Sequence, residues 1–365
     1  MKLLIINPGS TSTKISLYED KKSLFEESVF HDAPELLKYK NVNDQVPFRK
    51  QVILDLLKKY NYSINDVDVF VGRGGSAYPQ RQGVTVIDEL LYNDTLNGVG
   101  GSEHPAKLGV MMAYEFSKEF NKPAYTLNPT NVDELCDEAR ITGIKGLYRN
   151  AQSHVLNQKA IAKYHSKLHN KKYAESNYIV SHIDGGITIN AHKNGLMVDG
   201  NVGSGGDGPF SPTRIGTVPI LPLLDFIEEK GIDEVRLMCS RKGGFVSFFD
   251  TSNADKVYEL VKQNDPKATL VWNSMIYEIC KSIGSMSCVL DGKVDAILLT
   301  GGLCRFEDII NTIKKKCEWI APIYVYPGEL EQDELAFSVI DALEGKQEIN
   351  HYTGKPVFEG FKFID

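Results

Sequence analysis

The sequence predicts an α/β protein built from two similar domains. Three observations predict it: the length, the alternation of short apolar strands with amphipathic helices, and one strand–turn–strand pattern that recurs in both halves. The chain has 365 residues, and at about 150 residues per domain that length suits two. Hydrophobic residues make up 42% and charged residues 24%, so each domain has the material for its own core and wholesale disorder is excluded.

The elements follow in order. Residues 2–6 read as a strand, 7–13 as a polar turn and 14–18 as a second strand, so the chain opens with a hairpin and not with a strand feeding a helix. Helical periodicity covers 108–120, 154–168, 269–290 and 335–343, while 294–300 and 323–326 read as buried strands. The opening pattern returns as a strand at 178–180, a turn at Asp184-Gly185-Gly186 and a strand at 187–192. A buried strand at 67–71 followed by Gly74-Gly75 likewise returns as 296–300 followed by Gly301-Gly302. The spacing of these repeats puts the junction near Arg149: one domain is 1–149 joined by 331–365, the other 150–330. A duplication of this kind would bring the glycine turns of both halves to one cleft.

Lys and Arg total 41 against 48 Asp and Glu, a net charge of −7, with no basic block to track a phosphate backbone, which argues against a nucleic-acid partner. The apolar start, residues 1–6, is too short for a signal peptide, and no later run would span a bilayer, so a cytoplasmic protein with no membrane partner is expected. The six cysteines form no Cys-x-x-Cys pair and have no His at metal-ligand spacing. They are expected to be reduced and mostly buried.

Several motifs carry chemistry. NPGSTSTK, residues 7–14, crowds backbone N–H groups and hydroxyls onto a tight turn, as a phosphate requires, although a solvated hairpin turn has the same composition. It is not a Walker A loop, which needs a second glycine before Lys and a helix after it. GSGGDG, residues 203–208, has dinucleotide-binding spacing, but Pro209 and Pro212 cannot open the helix that reading needs. What it delivers is Asp207 and then Arg214, whose planar fork suits carboxylate or phosphate oxygens. Arg73 sits between glycines directly after a buried strand, where a ligand can approach closely. His104 and His154 fall at helix starts. Glu329, Glu331, Asp333 and Glu334 lie around another, where helix capping accounts for most of them and one could hold Mg²⁺.

Taken in order and spacing, NPGSTSTK, GRGG, SEHPAKLG, SHVLNQKA, DGPFSPTRIGT, LTGGL and APIYVYPGE closely resemble butyrate kinases, of the acetate kinase group within the acetate and sugar kinase, Hsp70 and actin superfamily. The resemblance implies a duplicated ribonuclease H-like (actin-like ATPase) core with an interdomain nucleotide cleft, and the reversible reaction of ATP with butyrate giving ADP and butyryl phosphate. It implies ATP and Mg²⁺ as cofactors and a homodimer or larger assembly. By this similarity Asn7, Ser10, Ser12, Asp184, Gly185, Gly186, Asp207, Gly301 and Gly302 serve nucleotide and phosphate. Arg73 holds the substrate carboxylate, with His104 and Ser153 on the substrate side, His154 and Arg214 stabilise the transferring phosphoryl group, and Glu331 is the magnesium carboxylate, with Glu329 second.

Two departures matter. Asn128-Pro129 stands where the family usually carries Asp-Pro, so a charge that would help position metal or phosphoryl group is missing, and weakened or redirected activity is expected. Ser153 replaces the usual Phe before the matching His, leaving the acyl pocket wall smaller and more polar, suited to a longer, branched or more polar acid. Alternatives are therefore a kinase for another short or branched acid, or a nucleotide-binding paralogue impaired in catalysis.

Overall fold

The computed structural model describes residues 1–9, 12–36, 38–101 and 105–364. Among these residues twelve strands form two sheets. In chain order they are β1 (Lys2–Pro8), β2 (Ser12–Glu19), β3 (Lys22–Phe30), β4 (Val69–Gly72), β5 (Val84–Val86), β6 (Ala124–Leu127), β7 (Asn177–Ile183), β8 (Ile187–Lys193), β9 (Leu196–Gly200), β10 (Ala296–Gly301), β11 (Ile323–Pro327) and β12 (Ile349–Asn350). The chain divides into two compact units, Met1–Asp133 with Leu330–Phe363, and Glu134–Glu329.

The first unit holds the sheet β12-β5-β6-β4-β1-β2-β3. Its β1, β2 and β3 form an antiparallel meander in which Asn7 faces Lys14 and Pro8 faces Thr13. Strand β4 runs parallel to β1, and β6 parallel to β4. The second unit repeats the plan as β11-β10-β7-β8-β9: an antiparallel meander of β7, β8 and β9, with β10 parallel to β7 and β11 parallel to β10. This is the duplicated ribonuclease H-like core. Leu3, Leu4, Ile5 and Ile6 are all fully buried, which explains why β1 reads as an unbroken apolar run and not as an alternation.

Helices cover the sheets. Lys107–Phe120 packs in the first unit through Leu108, Met112 and Phe116. In the second, the long helix Pro266–Val289 buries Trp272, which stacks on Phe245 at 5.7 Å between centroids. That helix begins one turn before the predicted 269, because Pro266 takes the first helical position and Asp265 accepts the Ala268 N–H at 2.7 Å. The six thiols are free; Cys280, Cys304 and Cys317 are buried and Cys288 is exposed, so burial holds for half of them and not for most. No described helix is long and apolar enough to cross a membrane.

Candidate active site

In the first unit, three side chains from distant parts of the chain converge. Asn7, at the end of β1, donates from Nδ2 to Glu331 Oε2 at 2.8 Å. Arg73 donates from Nη1 to Asn7 Oδ1 at 3.3 Å and stands with Nη2 3.1 Å from Glu331 Oε1. Asn7 is 5% and Glu331 1% exposed, so this is a buried ion pair and not a surface one. Arg73 is held by its neighbours: its N–H bonds Ile6 O at 2.9 Å, and a Cβ on the preceding Gly72 would overlap the Gly109 carbonyl of the covering helix. Gly72 before Arg73 thus serves close strand–helix packing.

The acidic cluster does lie at a helix N-terminus, with Glu331, Asp333 and Glu334 in the first turn, but no side chain caps that end. The helix starts at Glu331, four residues before the predicted 335, and the residue before it, Leu330, makes no side-chain cap. Glu331 bonds Asn7, Asp333 accepts the Tyr18 hydroxyl at 2.6 Å, and Glu334 accepts the Ser338 hydroxyl at 2.9 Å. Each of these three carboxylates thus has a side-chain partner while standing in the first turn of the helix.

Ser12 opens β2 and its carbonyl closes the turn by accepting the Gly9 N–H at 2.8 Å. Arg49, fully buried, braces the same hairpin from Nη1 to Ser12 O at 2.8 Å and Thr13 Oγ1 at 2.9 Å. Burial pulls its pKa down to about 10, still a cation at neutral pH. Ser10 and His104 lie outside the described residues. Asn128 adopts a left-handed backbone (φ 41°) and accepts the Gly83 N–H at 2.8 Å, a conformation that Asn tolerates well. A carboxylate accepts the same bond, so Asn128→Asp should fold normally and raise acid-dependent ATP turnover in a coupled assay. Unchanged turnover would reduce position 128 to a brace for Gly83.

In the second unit, the turn Asp184-Gly185-Gly186 is locked from two sides. Asp184 accepts the Gly185 N–H through Oδ1 and the Gly302 N–H through Oδ2, both at 2.8 Å, which ties this turn to Gly301-Gly302. A Cβ on Gly302 would stand 2.8 Å from Asp184 Oδ2. The DGPFSPTR segment docks on the same turn: the Ser211 and Thr213 hydroxyls donate to Gly185 O at 2.7 and 2.9 Å. Arg214 then lies directly over Gly186, where any Cβ would overlap its guanidinium, and bonds Gly203 O. Burial lowers the Arg214 pKa to about 10. Asp207 closes its own loop, 3.6 Å from Arg149 and accepting the Val202 N–H at 3.3 Å.

His154 precedes the helix Val155–Leu168 and meets Thr188 Oγ1 through Nδ1 at 2.9 Å. It stacks on His182 with 4.0 Å between ring centroids. Ser153 is buried, its hydroxyl committed to Asn190 Oδ1 at 2.8 Å and not presented on an open wall. Sequence reasoning missed His182, Gln158, Thr188 and Arg49. His182 stands two residues before Asp184 in SHIDGG, and Gln158 lies inside SHVLNQKA one turn after His154, so both were within reach of a motif; Thr188 and Arg49 carry no local signal.

Two groups bear on a metal. Glu331 with Asn7 Oδ1 offers oxygen donors of the hard kind Mg²⁺ takes, one carboxylate being enough beside water and phosphate oxygens. His182, Asp184 and Glu329 also present ligand atoms within 4.8 Å of one another. An imidazole in that set suits later transition metals better than magnesium, and both Asp184 oxygens already accept backbone N–H groups. Both Glu331 oxygens and Asn7 Oδ1 are engaged as well, by Asn7 and Arg73, so it is the all-oxygen donor set and not free lone pairs that suits magnesium at Glu331.

Comparison with known proteins bears on the fold and on part of the chain. Over residues 145–317 the chain matches the family model described as Acetokinase family. The acetate kinase of Porphyromonas gingivalis superposes with a TM-score of 0.75 at 17% identity, covering 95% of this chain and 100% of that one. The acetate kinase of Entamoeba histolytica gives 0.75 at 17%, covering 94% and 100%. A propionate kinase from Francisella tularensis subsp. tularensis SCHU S4 gives 0.73 at 15%, covering 92% and 98%. The chain thus carries the Acetokinase family match across residues 145–317, and along nearly its whole length it has the fold of solved acetate and propionate kinases.

Proposed function

We propose that this protein is an ATP-dependent carboxylate kinase of the acetate kinase family that phosphorylates a short-chain acid, with butyrate as the leading substrate: ATP plus butyrate gives ADP and butyryl phosphate, reversibly. The observation that carries the reading is the docking of DGPFSPTR on the Asp184-Gly185-Gly186 turn, which holds Arg214 over Gly186. A buried guanidinium fixed against a glycine turn, whose own N–H groups are largely taken by Asp184 and neighbouring carbonyls, suits phosphate oxygens.

The chemistry asks little beyond this. A carboxylate nucleophile is already ionised at neutral pH, so no general base is needed; what phosphoryl transfer needs is alignment and neutralisation of spread charge. Arg73 holds the acid, and His154 and Arg214 donate to the equatorial oxygens of the group in flight. Asn7, Ser12, Asp184 and the paired glycines shape the phosphate and nucleotide contacts. Magnesium, held by Glu331, would neutralise phosphate charge when bound.

Acyl hydroxamate formation with ATP and Mg²⁺ over a panel of acids tests this. Product is expected with butyrate; because Ser153 is buried against Asn190, longer or branched acids are accepted only if the volume an aromatic ring would fill stays open beside it. Strict preference for butyrate would remove Ser153 from specificity. ATP binding without product from any acid would favour the second reading, an impaired nucleotide-binding paralogue, which Asn128 supports.

A further inference from the structure

The hydrogen bonds around Gln158 can be assigned proton by proton, because one of its partners, a backbone carbonyl, only accepts. Gln158 Nε2 lies 3.2 Å from the backbone carbonyl of Thr188. A carbonyl oxygen cannot donate, so the nitrogen of the amide and not its oxygen faces that side. One Nε2 hydrogen goes to Asn190 Oδ1 at 2.9 Å; the other is shared between Thr188 O and Thr188 Oγ1, the latter at 2.8 Å. Ser153, through its bond to the same Asn190 oxygen, holds that amide in place.

The other end of Gln158 agrees. Its Oε1 faces His192 Nε2 at 3.0 Å, so His192 carries its proton there, and His192 Nδ1 accepts from the Tyr173 hydroxyl at 2.8 Å. His192 is fully buried, and burial beside the Lys159 cation holds it neutral, as this pattern requires.

The consequence falls on Thr188. Its hydroxyl oxygen already accepts from Gln158, and the residue is fully buried. The other partner of that hydroxyl is His154 Nδ1, at 2.9 Å. The Thr188 proton therefore points at Nδ1, and the His154 ring proton sits on Nε2. Were Nδ1 protonated instead, a buried hydroxyl hydrogen would be stranded, an arrangement native structures avoid. The stacked ring obeys the same logic. Thr300 donates to Gly328 O at 2.8 Å, so it accepts from Asn157 Nδ2 at 3.2 Å, and that same nitrogen meets His182 Nδ1 at 3.0 Å.

We propose that Thr188 and Gln158 are positioning residues that hold the His154 ring with its proton on Nε2, so that it meets a phosphoryl oxygen as a hydrogen-bond donor. The proposal rests on the reading of His154 as a phosphoryl-stabilising group. Neither residue touches substrate in this scheme; both act through His154, and Ser153 and Asn190 stiffen the relay.

Long-range ¹⁵N–¹H NMR of histidine-labelled protein, with the His154 signals assigned by their loss in His154→Gln, decides the point. Wild-type His154 is expected to show an unprotonated Nδ1 and a protonated Nε2. Thr188→Val should move both nitrogens toward averaged shifts and lower kcat about tenfold with little change in the KM for ATP. Thr188→Ser, which keeps the hydroxyl, should restore the spectrum and the rate. A protonated Nδ1 in the wild type would overturn the proposal with no variant needed, as would a Thr188→Val spectrum identical to wild type. If the tautomer shifts and kcat does not, the relay stands and the donor role of His154 falls.

Discussion

Gly186→Ala should lower kcat by at least a hundredfold while leaving the protein folded, and Arg214→Ala should lower it as far or further. The two variants attack one contact from opposite sides. Gly186 has an ordinary backbone conformation, so alanine meets no φ penalty there; its added methyl collides with the Arg214 guanidinium. That guanidinium has no easy retreat, since it bonds Gly203 O and the following residue is pinned by the Ile215 N–H to Met238 O bond at 3.2 Å. Loss of one preorganised donor to a transition state costs about 10²–10³ in rate. Arg214→Lys keeps the charge and loses the planar fork, and should recover only part of the rate. Steady-state kinetics with ATP and butyrate check all three. Near-normal kcat in Arg214→Ala would end its assignment. A normal rate in Gly186→Ala alone would mean that Arg214 acts from a position other than the one over this turn.

What was legible in the sequence was whatever lies close together along the chain. The hairpin at 2–6 and 14–18 was readable because an apolar run, a polar turn and a second run sit within one window; the strands extend only to Pro8 and from Ser12. The repeat at 178–192 was readable for the same reason. Arg73 stood out through its glycines, although what they do, letting Gly72 approach Gly109, depends on a helix more than 30 residues away. DGPFSPTR was recognisable as a unit, yet nothing in it says that Ser211 and Thr213 bond Gly185. The resemblance put Asn7, Arg73 and Glu331 at one site, but their direct contacts could not be read from the residues, because Asn7 and Glu331 are 324 residues apart. Gln158 and Thr188 were also missed. A Gln inside a helix and a Thr inside a strand are commonplace, and only the carbonyl facing Gln158 reveals which way its amide points.

Glu331→Gln and Glu331→Ala should separate, and the separation tests whether this carboxylate holds the site together or serves the chemistry. Alanine removes the counter-charge of Arg73 and the acceptor for Asn7 at once, in a setting where Glu331 is 1% exposed. Removing one partner of a buried pair costs about 3–5 kcal/mol. For a unit of this size each kcal/mol lowers Tm by roughly 2–4 °C, so Glu331→Ala should melt well below the wild type. Glutamine keeps the volume and an oxygen that still accepts one of these bonds, so most of that loss should be spared. Turnover should not follow stability. If Glu331 holds magnesium, Glu331→Gln loses the charge the ion needs, and kcat should drop a hundredfold or more with a raised Mg²⁺ requirement in a protein that melts close to wild type. The freed Arg73 pushes the other way, since a guanidinium released from its internal carboxylate binds an external one more readily, and the KM for the acid should fall or hold steady. A Gln variant with wild-type turnover and wild-type magnesium dependence would leave Glu331 only a structural anchor for Arg73, and the metal assignment would have to move to Glu329.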